Sequence, residues 1–310
     1  MYCMFEYSYK SRNKQQHGWI QHTTSLPHDF QHYSLSMSDR RVVILGKTGV
    51  GKSSLANTIF GEKQFKVYDT SKSGTGACRA ESRSVNGRLT TLIDTPGFFD
   101  TDRPEEELKC EILRCIIECA PGPHAFLIVL KVDKFTKQEQ DVIDKINECF
   151  SEEVFKYATI VFTHGDQLEE GQTIEEFVCQ NKSLSDLVKN CGDRCHVIDN
   201  KHWNNQQDEY RSNRFQVKKL LDTLDKITEA NKGGCYTNDI LQAVEKEIQK
   251  EEELIRQSSG NMSEEEITQQ AKDSVWKKLW IKLAGFELGV LLGALSGVGV
   301  SLIFILLKMR

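Results

Sequence analysis

The sequence predicts an α/β protein: a doubly wound, mostly parallel sheet, followed by a C-terminal helical extension and a transmembrane tail. Three observations carry that expectation. Short continuous apolar runs alternate with helix-periodic stretches between Asp39 and about Lys232, as strands buried on both faces of a parallel sheet require. The first run, Val42–Leu45, enters the glycine-rich segment Gly46-Lys47-Thr48-Gly49-Val50-Gly51-Lys52-Ser53, and a helical stretch from Ser54 to Phe60 follows. At the other end, residues 288–307 are twenty residues without a charge, the length a helix needs to cross ~30 Å of hydrocarbon.

Taken in chain order, residues 1–38 are polar, with irregularly spaced histidines at 17, 22, 28 and 32 and no apolar run of the signal-peptide type, so they read as a disordered tail. Strands are expected at Val42–Leu45, Leu89–Asp94, Ala125–Val132, Ala158–Thr163 and His196–Ile198. Leu108, Ile112 and Ile116, with Leu113 and Ile117, make one helical stripe, and Val217, Leu220, Leu221, Leu224 and Ile227 make another. This alternation predicts a domain over 39–232 with its ligand loops at the carboxyl ends of the strands. After Gly233-Gly234, residues 233–282 read as two helices separated by a Ser258–Asn261 break, either docked on the domain or forming a spacer. Residues 283–310 then read as a membrane anchor. Its thirteen Leu, Ile, Val or Phe between 288 and 307 favour insertion by about 0.3–0.6 kcal/mol each. Gly285, Gly289, Gly293, Gly297 and Ser301 recur every four residues, a face on which two helices can approach closely.

Bulk properties narrow the function. The 310 residues carry a net charge of -5, which argues against nucleic acid as a partner, since phosphate backbones need concentrated positive charge. Ten cysteines are scattered and partly embedded in helical stripes, as in a reducing compartment. Cys191, Cys195 and His196 lack a second ligand cluster and do not make a zinc motif.

The segment 46–53 has the GxxxxGK[ST] spacing of a phosphate-binding loop. Glycines let backbone N–H groups curl round a phosphate, and the helix N-terminus adds partial positive charge. Gly46, Lys47, Thr48, Gly49, Val50, Gly51, Lys52, Ser53 and Ser54 are therefore candidate phosphate contacts. Lys52 is placed to meet the β- and γ-phosphates, and Ser53 to ligate Mg²⁺. Asp94-Thr95-Pro96-Gly97 ends a strand in DxxG, with Asp94 on the metal side and the Gly97 N–H near the γ-phosphate. Thr163-His164-Gly165-Asp166 ends another strand. A carboxylate at Asp166 accepts from the N1–H and exocyclic amine of guanine, a donor pair that adenine lacks on that edge. The expected cofactors are GTP/GDP and Mg²⁺.

The chain resembles the immunity-associated GTPases, the GIMAP or IAN group of septin-like P-loop GTPases. The likeness rests on GKTGVGKSSLANTIFG (46–61), DTPGFFDT (94–101), APGPHAFLIVLKVDKFTKQEQ (120–140), FTHGDQL (162–168) and CGDRCHVIDNK (191–201). It covers about residues 40–230, and the 120–140 box is its most specific part. The resemblance implies that Thr75 meets Mg²⁺ and the γ-phosphate as a switch threonine, and that His164 can stack on the base. It also implies that Asn200, with Asp199 or Trp203, contacts the base, although Asp199 departs from the paired Asn of the family.

Two features bear on turnover. Phe98 and Phe99 follow Gly97 where many small GTPases orient water with a glutamine, and an apolar ring cannot do so. Lys134 stands where the family often has a candidate arginine finger, and lysine lacks the planar fork. Lys52, Thr75 and Lys134 are thus the candidate catalytic residues, and intrinsic hydrolysis is expected to be slow. The overall expectation is a membrane-anchored, cytosol-facing switch or scaffold that self-associates with GTP, with family paralogues as further partners. An efficient dimer-activated hydrolase, a static GTP-bound scaffold and an ATP-using protein are the alternatives.

Overall fold

The computed structural model describes residues 39–67, 78–95, 97, 105–203, 208–258 and 260–283. Among the described residues six strands form one sheet: β1 (Arg40–Leu45), β2 (Arg79–Val85), β3 (Arg88–Asp94), β4 (Ala125–Lys131), β5 (Ala158–Thr163) and β6 (Cys195–Val197). Their order is β2-β3-β1-β4-β5-β6, with only the β2–β3 pair antiparallel. The five expected strands are present within a residue or two of their predicted bounds. β2 was not expected, because its RAESRSV run has no apolar alternation. It lies at the sheet edge with half its side chains in solvent. The available signal was Asn86-Gly87, whose φ values of 51° and 77° make the tight hairpin turn that joins β2 to β3.

The central strands are apolar on both sides because helices cover both faces. On one face, Val42, Ile44, Leu92, Leu127 and Val129 pack with α1 (Lys52–Phe60) and α6 (Asn213–Ala230). On the other, Val43, Leu45, Ile93, Phe126, Ile128 and Phe162 pack with α2 (Glu105–Cys119), α3 (Lys137–Phe150), α4 (Ile174–Cys179) and α5 (Lys182–Asn190). Successive residues of one strand thus face opposite layers. This doubly wound arrangement carries the turns that follow β1, β3, β5 and β6 to one end of the sheet.

α7 (Asp239–Ser258) and α8 (Glu264–Leu283) pack together and against α2, so the extension is docked and is no spacer. Ile240, Leu241, Val244 and Ile248 of α7 join the same core as Ile267, Val275 and Leu279 of α8. Each such burial contributes about 1.5–3 kcal/mol gross. Polar ties fix the register: Lys272 Nζ lies 2.9 Å from Glu118 Oε2, and the Arg114 guanidinium sits 4.9 Å from the centre of the Trp276 ring. Among the described residues no helix is long and apolar enough to cross a membrane. The apolar run 288–307, on which the anchor rests, lies outside the described residues, as does the tail 1–38.

Candidate functional site

The turn after β1 is shaped by its glycines. Gly46 has φ 149°, and a Cβ there would stand 2.6 Å from the Val129 carbonyl oxygen, so the loop lies against β4 as no other residue would allow. Gly51, at φ 92°, caps α1 without a side-chain hydrogen bond, and no acidic residue occupies the first turn. The N–H groups and dipole of α1 are therefore directed at whatever fills the loop. Lys52 is 6% exposed and its ammonium donates to the carbonyls of Gly46 (2.8 Å) and Lys47 (2.9 Å). This stretches the side chain across the loop.

The metal side follows from register. β1 and β3 are parallel with Ile44 opposite Asp94, so Asp94 ends its strand beside the start of α1. Ser53 Oγ donates to Asp94 Oδ2 at 2.5 Å, and Asp94 is 1% exposed. Thr95 Oγ1 fixes the following turn by donating to the Ile44 carbonyl at 2.6 Å. A hydroxyl and a buried carboxylate are hard oxygen donors of the kind Mg²⁺ takes beside phosphates.

The base side comes from β5 and β6. Thr163 Oγ1 donates to the Val50 carbonyl at 2.7 Å, joining the end of β5 to the phosphate loop, and lies 3.0 Å from His164 Nδ1. His164 takes a left-handed φ of 59°, and burial followed by the Lys131 charge pushes its pKa down. Two carboxylates stand together here, and exposure separates their roles. The Asp166 side chain is 30% exposed at the cleft, whereas that of Asp199 is 3% exposed. Asp199 accepts the N–H groups of Asp166 (3.2 Å), Lys201 (2.8 Å) and His202 (2.5 Å). Burial alone would raise this carboxyl, but the N–H donors that it accepts outweigh burial and hold it at about 2.

These groups line one cleft of about 310 Å³: Thr48, Gly49, Gly51, Lys52, Ser53, Ser54 and Gly97 at the phosphate end, His164, Asp166 and Asn200 at the other. The donor set fits a guanine nucleotide with Mg²⁺, and its Val67, Lys201 and His202 were not assigned from sequence. The motif 191–201 contains Lys201, but nothing in its spacing distinguishes a cleft residue from a buried one.

The other expected residues occupy different places. Asn200 reaches back towards α1, accepting from Thr58 Oγ1 at 3.0 Å. Trp203 is 2% exposed and packs under Gly165, where a Cβ would meet its ring at 2.6 Å, so it supports the base loop from beneath. The Lys47 side chain turns away from the cleft to α3, donating to Gln138 Oε1 at 2.6 Å, and Val50 is 5% exposed in the core. Lys134 lies on a second, neighbouring cleft of about 390 Å³ that shares Lys47 and Thr48 with the phosphate loop. Thr75, Phe98 and Phe99 lie outside the described residues.

Known proteins resemble this chain in sequence and in fold. Immune-associated nucleotide-binding protein 9 of Arabidopsis thaliana is 31% identical over 249 residues, covering 76% of this chain and 71% of that protein. GTPase IMAP family member 8 of Homo sapiens is 31% identical over 205 residues, 66% of this chain and 30% of that one. Among solved structures, Toc33 from Arabidopsis thaliana in complex with GDP and Mg²⁺ superposes with a TM-score of 0.51 at 20% identity, covering 65% of this chain and 88% of that one, a likeness of fold. Residues 40–257 match the AIG1 family, from the start of β1 to near the end of α7. The chain belongs to the AIG1 family.

Proposed function

We propose that this protein binds GTP with Mg²⁺, hydrolyses it slowly, and uses the bound state to control self-association on a cytosol-facing membrane. The observation that carries the nucleotide part is the meeting in one cleft of Lys52 and Ser53, the latter bonded to the buried Asp94, with Asp166. The phosphate loop N–H groups and Lys52 would hold the phosphates. Mg²⁺, held by Ser53 and Asp94, would neutralise charge on the phosphate oxygens. Asp166 would accept from the guanine N1–H and amine, while Asp199 keeps the Asp166 backbone in place.

Slow turnover rests on Phe98 and Phe99 in the sequence. Self-association draws support from the fold likeness to Toc33, one structure of which is a dimerization-deficient mutant. Family paralogues would be further partners. The membrane part rests on the uncharged run 288–307. An immune role is consistent with the names of the relatives.

The test is nucleotide binding and single-turnover hydrolysis by the full-length protein over a concentration series. GTP is expected to bind at least about 100-fold tighter than ATP, because two hydrogen bonds to a carboxylate contribute about 1.5–3 kcal/mol each. Equal affinities would overturn the guanine assignment. Exposed Lys134 beside the phosphate loop favours a second reading, a dimer-activated hydrolase; turnover rising steeply with concentration and lost in Lys134→Ala would select it.

A further inference from the structure

The loop between β4 and α3, residues 132–136, is tied to the phosphate loop at both ends. At its start, Val132 N–H donates to the Thr163 carbonyl (2.9 Å), and Thr163 Oγ1 donates to the Val50 carbonyl (2.7 Å). At its end, Lys47 Nζ donates to Gln138 Oε1 (2.6 Å) and lies 3.4 Å from Glu139 Oε1. Glu139 is also the return arm of a capping box, its Oε2 accepting the Thr136 N–H at 3.1 Å, so the Lys47 contact falls on the residue that starts α3. Lys134 and Phe135 form the span between these ties and line the second cleft with Lys47. This span lies in the family-specific 120–140 box.

We propose that Lys47 is a positioning residue through which nucleotide occupancy of the phosphate loop sets the conformation of residues 132–139, the segment around the exposed Lys134. The proposal rests on the nucleotide-binding reading above. A phosphate loop that closes on its ligand moves the Lys47 backbone. A side chain anchored on the first turn of α3 carries that movement to the capping box. The Thr163–Val50 tie holds the other end, so the displacement is absorbed by the residues between. The cation at position 47 thus serves α3 and leaves phosphate neutralisation to Lys52.

The test is amide hydrogen exchange of the full-length protein with and without Mg²⁺-GTP, in the native chain and in a Gln138→Leu/Glu139→Gln double variant. Glutamine at 139 can still close the capping box, so α3 keeps its start while both acceptors for Lys47 are weakened or removed. In the native chain GTP should slow exchange in 46–53 and also in 132–140. In the double variant the response at 46–53 and the GTP affinity should persist, while the response at 132–140 should be lost. Exchange at 132–140 that still responds in the double variant would overturn the proposal, as would a native chain that binds GTP without any response there. A native chain that binds no GTP would instead overturn the nucleotide-binding reading. Lys47→Arg should retain the distal response and Lys47→Met should lose it; equal behaviour of the two would also count against Lys47.

Discussion

Asp199 Oδ2 accepts the backbone N–H of Asp166 at 3.2 Å, so a buried carboxylate on one loop orients the exposed carboxylate of another. The same group collects the N–H groups of Lys201 and His202, and Asn213 Nδ2 donates to the Asp199 carbonyl. The loops after β5 and β6 are thereby joined through one residue that need not touch the base. An asparagine would offer a single side-chain oxygen where the aspartate offers two.

Asp199→Asn should therefore weaken GTP binding without changing which base is preferred. Placing an amide donor against a backbone N–H costs about 1–3 kcal/mol, or roughly 5- to 150-fold in Kd. Isothermal titration with GTP and ATP checks this. A variant that binds both nucleotides as the native chain does would show that Asp199 has no positioning role.

Asp166→Asn should behave differently. An amide pairs one donor and one acceptor, which suits xanthine, with its carbonyl in place of the guanine amine. GTP affinity should fall by about 1.5–3 kcal/mol or more, and xanthosine triphosphate should become the better ligand. Competition between the two nucleotides gives the ratio directly. Unchanged preference would move base recognition away from Asp166.

Ser53→Ala removes the hydroxyl that lies 2.5 Å from Asp94 Oδ2. Its effect should depend on the metal: GTP binding in Mg²⁺ should weaken by about 1–3 kcal/mol, while binding in chelator should barely change. Equal losses in both conditions would mean that Ser53 supports the loop and not the ion.

The docking of α7 and α8 has its own consequence. Val275 of α8 is 2% exposed within the core shared with α2. Val275→Asp should lower stability by several kcal/mol, on the order of 3 or more, because an unpaired carboxylate would be buried there. Chemical denaturation of the full chain checks it. A change below about 0.5 kcal/mol would indicate a detached helix, since substitutions at exposed sites fall in that range.

Much of this fold was legible because both periodicities were strong. β5 is buried at every position, and the α6 stripe Leu220, Leu221, Leu224 and Ile227 lies on one face of the sheet. β2 was hidden because an edge strand needs no apolar alternation. The phosphate loop was legible because its chemistry is local: glycine φ values, Lys52 and Ser53 within eight residues. The base end was less so. Asp166 stood out as a strand-end carboxylate, but separating it from Asp199 requires burial and partners that only the tertiary fold supplies. The partners of the Lys47 side chain were hidden for the same reason, since its acceptors lie about ninety residues away on α3.

Two buried histidines contribute most to the change of stability in acid. His124 is 2% exposed, and its Nδ1 accepts the Arg41 N–H at 3.0 Å, which a protonated ring cannot do. Burial, then the charges of Arg41, Arg88 and Arg40, lower its pKa from 6.5 to about 4. His196 is 7% exposed beside Thr223 Oγ1 at 2.9 Å, and burial followed by the Lys219 charge lowers it to about 4 as well. Between pH 6.5 and about 4 the unfolded chain binds protons that the folded chain refuses. Stability is thus complete above about 6.5 and falls as the pH drops through that window, by about 1.4 kcal/mol per unit for each histidine. The carboxylate contribution of Asp199, with its pKa held at about 2 against an ordinary 3.8, is lost only below that range. Unfolding free energies from denaturation at pH 7, 6 and 5 should therefore fall by about 2–3 kcal/mol between 6 and 5. His196→Gln, which can still bond Thr223, should halve that fall. An unchanged slope in the variant, or a native chain equally stable at pH 7 and 5, would show that these rings accept protons in the folded state.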